Sequence, residues 1–255
     1  MSSFPSSQIL PVAEKRPGLS LSAARDRLIV ALDYGSAADA LAMVDRLEQS
    51  CLWFKVGLEL YLAAGRGIVE MLGNRGFNVF LDLKLHDIPN TVAGAVRSLA
   101  DSGASLLTVH AAGGPAMLAA AVEAAASKSA SPRLLAVTVL TSMDQSQLQA
   151  TGIAATAAEQ VRRLGAMALS TGVDGLVCSP LEAAAIRAQH GSQPLLVVPG
   201  IRPQGSSAND QQRIAGPAEA IAAGASMLVV GRPITQASDP AAAAASILRE
   251  IETAS

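Results

Sequence analysis

Short apolar runs recur along this chain, each followed by a stretch with helical spacing. The first, Leu28-Ile29-Val30-Ala31-Leu32-Asp33, is continuous rather than alternating, as expected of a strand covered on both faces. Ser36 is placed to cap the helix after it, in which Leu41, Val44 and Leu47 share one face. Further apolar runs lie at 52–57, 78–84, 105–110, 134–140, 175–179, 195–199 and 227–231, with segments rich in Ala, Leu and Val between them. Eight strands alternating with helices predict a parallel sheet joined by right-handed crossovers. At this length the expected α/β fold is a (β/α)8 TIM barrel, a single domain over residues 27–255. A doubly wound open sheet is the second choice, but the glycine fingerprint that marks one is missing after the first strand. Residues 1–26, with their Ser and Pro, read as a loosely ordered N-terminal extension. The Gly/Ser/Asn-rich stretch 203–210 reads as an active-site loop rather than a domain joint.

A barrel of this kind does its chemistry at the C-terminal ends of its strands. Those ends carry Asp33, then Lys55 with Gly57, then Asp82 and Lys84 with Asp87 just beyond, then His110. The fifth ends in Leu140-Thr141-Ser142, the seventh in Pro199-Gly200-Ile201-Arg202 and the eighth in Gly231-Arg232-Pro233. The densest stretch is Asp82 to Thr91. It starts inside a strand, where alternation points Asp82 and Lys84 one way and Leu81, Leu83 and Leu85 the other. Pro89 is expected to end that strand, and Asn90 or Thr91 to cap the next helix.

Composition narrows the partners. A net charge of −2 with no basic block gives no reason to expect nucleic acid or an anionic membrane as partner. No apolar run approaches the length of a membrane span, and the N-terminus lacks a signal-peptide core. Cys51 and Cys178 follow no metal or redox spacing and read as buried free thiols, which suits a reducing cytoplasm.

Lys55, Asp82, Lys84 and Asp87 place two cations and two anions at one mouth. Alternating signs let such an array stay ionised while partly buried. A protonated lysine held there is a positioned acid, able to protonate an atom where negative charge develops. A structural salt bridge at the barrel rim is the alternative reading of Asp82 and Lys84. Gly231-Arg232 after the last strand, with Arg202 and Gln211 from the loop before it, suits a phosphate: glycine admits the anion to the backbone and arginine offers a two-pronged donor. Asp33 and Thr91 suit sugar hydroxyls, although Asp33 could equally cap a helix. Thr141 and Ser142 could face a base or a phosphate. No metal is called for: the one histidine in the array, His86, has no second ligand at the right spacing.

Together, Ala31-Leu32-Asp33, Phe54-Lys55-Val56-Gly57, the run Asp82–Thr91 (DLKLHDIPNT), Val139-Leu140-Thr141-Ser142, Pro199-Gly200-Ile201-Arg202 and Gly231-Arg232-Pro233 resemble the orotidine 5′-monophosphate decarboxylase family. The resemblance runs from about Leu28 to near the C-terminus. It implies a (β/α)8 homodimer with shared active sites, no cofactor, and conversion of orotidine 5′-monophosphate to UMP. On that basis Lys55, Asp82 and Lys84 form the charged network with Lys84 as proton donor, and Asp87 is contributed by the partner subunit. Thr91, also from the partner, and Asp33 hold the ribose. Thr141 and Ser142 lie nearest the pyrimidine, and Arg202, Gln211, Gly231 and Arg232 lie on the phosphate side. The nearest rival is a sugar-phosphate decarboxylase or aldolase sharing Asp-x-Lys-x-x-Asp. Relatives of that kind resemble metal-using sites with an acid on the second strand, where this chain has Lys55. A Schiff-base aldolase and a catalytically silent binder of phosphate ligands complete the alternatives.

Overall fold

Every strand is buried on both faces, and the reason is the closed architecture. In the computed structural model, which describes residues 19–203 and 213–254, eight parallel strands pair in sequence order and the last pairs with the first. They are β1 (Leu28–Leu32), β2 (Trp53–Gly57), β3 (Asn78–Leu85), β4 (Ala104–His110), β5 (Arg133–Val137), β6 (Gly175–Val177), β7 (Leu195–Val198) and β8 (Met227–Val230). The helices are α1 (Ala24–Arg27), α2 (Ala37–Leu47), α3 (Leu58–Ala64), α4 (Gly67–Asn74), α5 (Pro89–Leu99), α6 (Gly114–Ala126), α7 (Gln145–Ala150), α8 (Ala157–Ser170), α9 (Pro180–His190), α10 (Pro217–Ala222), α11 (Arg232–Thr235) and α12 (Pro240–Thr253). The expected (β/α)8 barrel is the observed fold, and the open-sheet alternative is excluded by the β1–β8 pairing.

Strand parity divides the core in two. Ile29, Ala31, Trp53, Phe80, Leu106, Leu135, Val197, Met227 and Val229 fill the barrel, while their neighbours such as Val30, Phe54, Leu81 and Leu107 pack outward against the helices. The same parity carries upward to Asp33, Lys55, Asp82 and Thr108, which continue the inward-facing rows beyond the apolar filling. The barrel is therefore closed by hydrophobic side chains below and lined by polar ones above.

Local details correct several expectations. Ser36 caps α2 as expected, accepting the Asp39 N–H at 3.2 Å. Asn90 and Thr91 do not cap α5: Pro89 is its first residue and Ile88 its N-cap, so both lie inside the first turn. Proline suits that place because its missing N–H has no partner there anyway and its φ is already helical. Several strands stop short of the ends their apolar runs suggest. β5 ends at Val137 rather than 140 and β6 at Val177 rather than 179, because the chain turns away to form rim loops. Thr138 marks that departure, donating its hydroxyl to the Val177 carbonyl at 2.9 Å.

The boundary expected at 26/27 falls inside α1, whose Arg27 donates to the Ala225 and Ser226 carbonyls below β8. Leu19 and Leu21 pack against the barrel's interior filling. Residues 1–18 of the expected extension, most of the loop expected at 203–210, and Gln211 lie outside the described residues. Both cysteines are free and buried; burial pushes each thiol up to about 12. Among the described residues no helix is long and apolar enough to cross a membrane.

Candidate active site

A cavity of about 290 Å³ opens at the C-terminal end of the barrel. Of the residues singled out in the sequence, it gathers Asp33, Lys55, Asp82, Lys84, Thr141, Ser142, Arg202, Gly231 and Arg232 around one space. Asp87 and Thr91 do not line it; both are exposed, and Asp87 accepts its neighbour's Ile88 N–H at 2.6 Å. Gln211 lies outside the described residues.

The charges form a chain across three neighbouring strands. Asp33 Oδ1 lies 2.9 Å from Lys55 Nζ, Lys55 Nζ lies 3.8 Å from Asp82 Oδ2, and Asp82 Oδ2 lies 2.8 Å from Lys84 Nζ. The sequence predicts Asp87 at the fourth place; within one subunit that place belongs to Asp33. Strand parity held the signal, because Ala31 pairs with Lys55 and residues 31 and 33 face the same way. Burial by itself would push the Asp82 carboxyl up. The Lys55 and Lys84 charges, with hydrogen bonds from Lys84 and Thr108, outweigh it and hold the group below its ordinary value. Asp82 is thus an anion wedged between two cations.

Gly57 leaves room for this pairing. A Cβ there would stand 2.8 Å from Lys55 Nζ and 3.3 Å from Asp33 Oδ1, with no backbone atom in its way. We expect Gly57→Ala to fold with little change in melting temperature, since its φ of −91° suits any residue. The displaced ammonium should lower kcat/KM by about 10- to 100-fold, the usual penalty for misplacing a reacting group by an ångström. Steady-state kinetics with a thermal melt checks this, and unchanged kcat/KM would show that the position of Lys55 does not matter.

At β3 the backbone itself is unusual. Lys84 has φ of +50°, and among the described residues no other non-glycine residue has a positive φ. The β3–β4 register breaks at the same place: Leu81 pairs with Leu107, but Leu85 pairs with Val109. Four residues of β3 thus span two of β4, and the slack turns the Lys84 side chain back toward Asp82. Nothing in the sequence marks this, since neither Gly nor Asn occupies the turn.

The rim opposite is positive. Burial, and then the neighbouring Arg232 charge, push the Arg202 guanidinium below its ordinary value. Two guanidiniums held together in this way favour an anion between them. A Cβ on Gly231 would meet Ala31 Cβ at 3.4 Å and Asp33 Oδ2 at 3.7 Å, so β8 and β1 approach closely beside Asp33. Around the rim the order is therefore cationic pair at β7 and β8, Asp33 at β1, then the charge chain at β2 and β3.

Arg213 was not singled out in the sequence, where it stands just after a polar loop segment. Its guanidinium is buried, donating to Glu182 Oε1 at 2.5 Å and to the Val139 and Leu140 carbonyls at 3.0 Å each. It thereby fixes the backbone that leads into Thr141 and Ser142. His110 stacks on His86 with ring centroids 5.2 Å apart, and its Nδ1 accepts the Ala112 N–H at 3.2 Å. Burial, then His86 and Lys84, push His110 below its ordinary value, so it stands beside the lysine as a neutral ring. Among the described residues no three His, Cys, Asp or Glu side chains gather as a metal site.

The model of the "Orotidine 5'-phosphate decarboxylase / HUMPS family" matches residues 26–247. An orotidine 5'-phosphate decarboxylase of Halorhodospira halophila is 54% identical over 228 residues, which is 89% of this chain and 97% of the relative. The enzyme of that name from Teredinibacter turnerae is 48% identical over 232 residues, covering 91% of this chain and all of the relative. The crystal structure of orotidine 5'-phosphate decarboxylase from Lactobacillus acidophilus superposes with a TM-score of 0.79 at 39% identity, covering 88% of this chain and 98% of that one.

Proposed function

This chain belongs to the orotidine 5'-phosphate decarboxylase family and converts orotidine 5′-monophosphate to UMP and CO2; on that premise we propose how its own residues carry out the reaction. The observation that carries the reading is the cavity's charge pattern: among the described residues that line it, the neighbouring Arg202 and Arg232 stand on one side and the alternating chain Asp33–Lys55–Asp82–Lys84 on the other. An arginine pair facing an alternating charge chain suits a ligand bearing both a phosphate and a carboxylate. Their order around the rim follows the order of groups along the nucleotide. Arg202, Gly231 and Arg232, with Gln211, take the phosphate. Asp33 takes the ribose. Thr141 and Ser142 meet the pyrimidine, whose C6 comes to rest over Asp82 and Lys84.

Loss of CO2 leaves the bonding electron pair on C6, in the plane of the ring. No delocalisation through the ring relieves it, so the site must meet a localised charge. Lys84 opposes that charge as it forms and then transfers a proton from Nζ to C6, regaining one from solvent. The Asp82 carboxylate, kept ionised, stands near the substrate carboxylate; at ~4 Å and an effective dielectric of ~20 that repulsion is about 4 kcal/mol. The acceleration needed is about 20 kcal/mol, so neither contribution suffices alone, and binding of the distant phosphate must also support the transition state.

Asp87 and Thr91 are assigned to the partner's site in a homodimer. Their exposure and their absence from their own subunit's cavity support this. We place the enzyme in the cytoplasm on the strength of its two free thiols.

The deciding experiment follows orotidine 5′-monophosphate spectrophotometrically with and without exhaustive chelation. UMP should form at the same rate in both. Among the described residues no ligand set invites a divalent cation, and Lys55 at the second strand would repel one. Activity lost to EDTA and restored by Mg²⁺ would overturn the cofactor-free reading, and no UMP at all would overturn the decarboxylase assignment.

A further inference from the structure

Thr108 lies on β4, wholly buried, and faces into the barrel beside the register break. Its hydroxyl has both of its capacities in use. Oγ1 accepts the backbone N–H of Lys84 at 2.8 Å and donates to Asp82 Oδ1 at 3.0 Å. The first bond stands where a regular parallel ladder would have offered Lys84 a β4 carbonyl; with four residues of β3 opposite two of β4, the side chain supplies the acceptor instead. The second bond occupies one carboxylate oxygen and leaves Oδ2 to Lys84 at 2.8 Å and Lys55 at 3.8 Å. One buried hydroxyl thus touches the left-handed residue and the anion that it pairs with.

We propose that Thr108 is a positioning residue for the decarboxylation, its hydroxyl fixing both the backbone of the proton donor Lys84 and the rotation of the Asp82 carboxylate. The inference rests on the assignment of Lys84 and Asp82 above. Without the hydroxyl the half-buried Lys84 N–H loses its acceptor, and Asp82 Oδ1 is free to turn toward a lysine. The phosphate-side groups stand across the rim and are untouched. The defect should therefore appear in turnover rather than in affinity.

The test compares the wild type with Thr108→Val, which keeps the shape and removes the hydroxyl, and Thr108→Ser, which keeps the hydroxyl and removes a methyl. For the valine variant kcat should fall about 10- to 100-fold while KM stays within about threefold, as expected when a reacting group is misaligned. The serine variant should recover most of kcat. The acid limb of kcat/KM gives a second readout. Asp82 is faced by Lys55 from β2, Lys84 from its own strand and Thr108 from β4. Loss of the hydroxyl removes one of the influences that lower its pKa, so the limb should move to higher pH in the valine variant and not in the serine variant. If valine does not pack, Thr108→Ala takes its place. A valine or alanine variant with wild-type kcat and an unmoved acid limb would overturn the proposal. So would equal damage in the valine and serine variants, which would mean packing alone. A wild type that makes no UMP fails differently, removing the reaction that Thr108 is said to serve.

Discussion

Lys84→Ala should reduce kcat/KM by about 10⁴-fold or more while UMP still binds. The number follows from the two duties that the proposed mechanism gives one ammonium. A positioned general acid contributes about 10²–10⁴-fold. A fixed charge aimed at developing negative charge contributes about 10²–10³-fold. The two are not independent, since the same group performs both, so they do not simply multiply. Removal also leaves Asp82 with Lys55 as its one cation, at 3.8 Å instead of the 2.8 Å that Lys84 offers. A carboxylate with less compensation repels the substrate carboxylate before any bond breaks, which weakens substrate more than product. UMP lacks that carboxylate, and the proposed phosphate-side residues Arg202, Gly231 and Arg232 still line the cavity. UMP should therefore raise the melting temperature of the variant and of the wild type alike. A fall in kcat/KM of less than tenfold would remove Lys84 from the proton transfer. Loss of the UMP-induced shift would instead mean that the whole mouth had collapsed.

Most of this site could be found in the sequence because a closed barrel converts strand order into geometry. Each strand reads as an apolar run since both its faces are covered, and whatever polar residue follows must stand at the rim. That rule places Lys55, Asp82, Lys84, Arg202 and Arg232 at one rim, and all five line the same cavity. It failed where structure departs from a regular ladder. The left-handed Lys84 is imposed by the β3–β4 register break, a relation between two strands that neither sequence carries alone. Thr108 looks like any β-branched strand residue until the break leaves Lys84 N–H needing an acceptor. Arg213 reads as an ordinary loop charge, yet Glu182, 31 residues earlier, draws it into the interior. Asp33 is the instructive case. Parity could have paired it with Lys55, but a carboxylate after a strand is as easily a helix cap, and only the register separates the two roles.

The sharpest test of the shared site mixes two inactive proteins. Asp87 and Thr91 stand on the stretch from Leu85 into α5, exposed and turned out of their own cavity, with Ile88 67% exposed between them. In the proposed homodimer, this stretch completes the partner's charge chain, setting the Asp87 carboxylate against cations of the other subunit. Lys84→Ala then damages a subunit's own cavity, and Asp87→Ala damages the neighbour's. Each mutant homodimer should be nearly inactive, since every site lacks one or the other group. A mixed dimer differs. One site collects both lesions, while the other takes Lys84 from one chain and Asp87 from its partner and is intact. With free exchange of equal amounts, half the dimers are mixed and each has one sound site of two, so up to about a quarter of wild-type activity should return by the symmetry of an isologous interface. The measurement is a rate against time after mixing, with exchange followed independently by tagged subunits. Recovery that tracks exchange supports a site built by two chains. Complete exchange with no recovered activity would place Asp87 within its own subunit's chemistry and end the shared-site assignment.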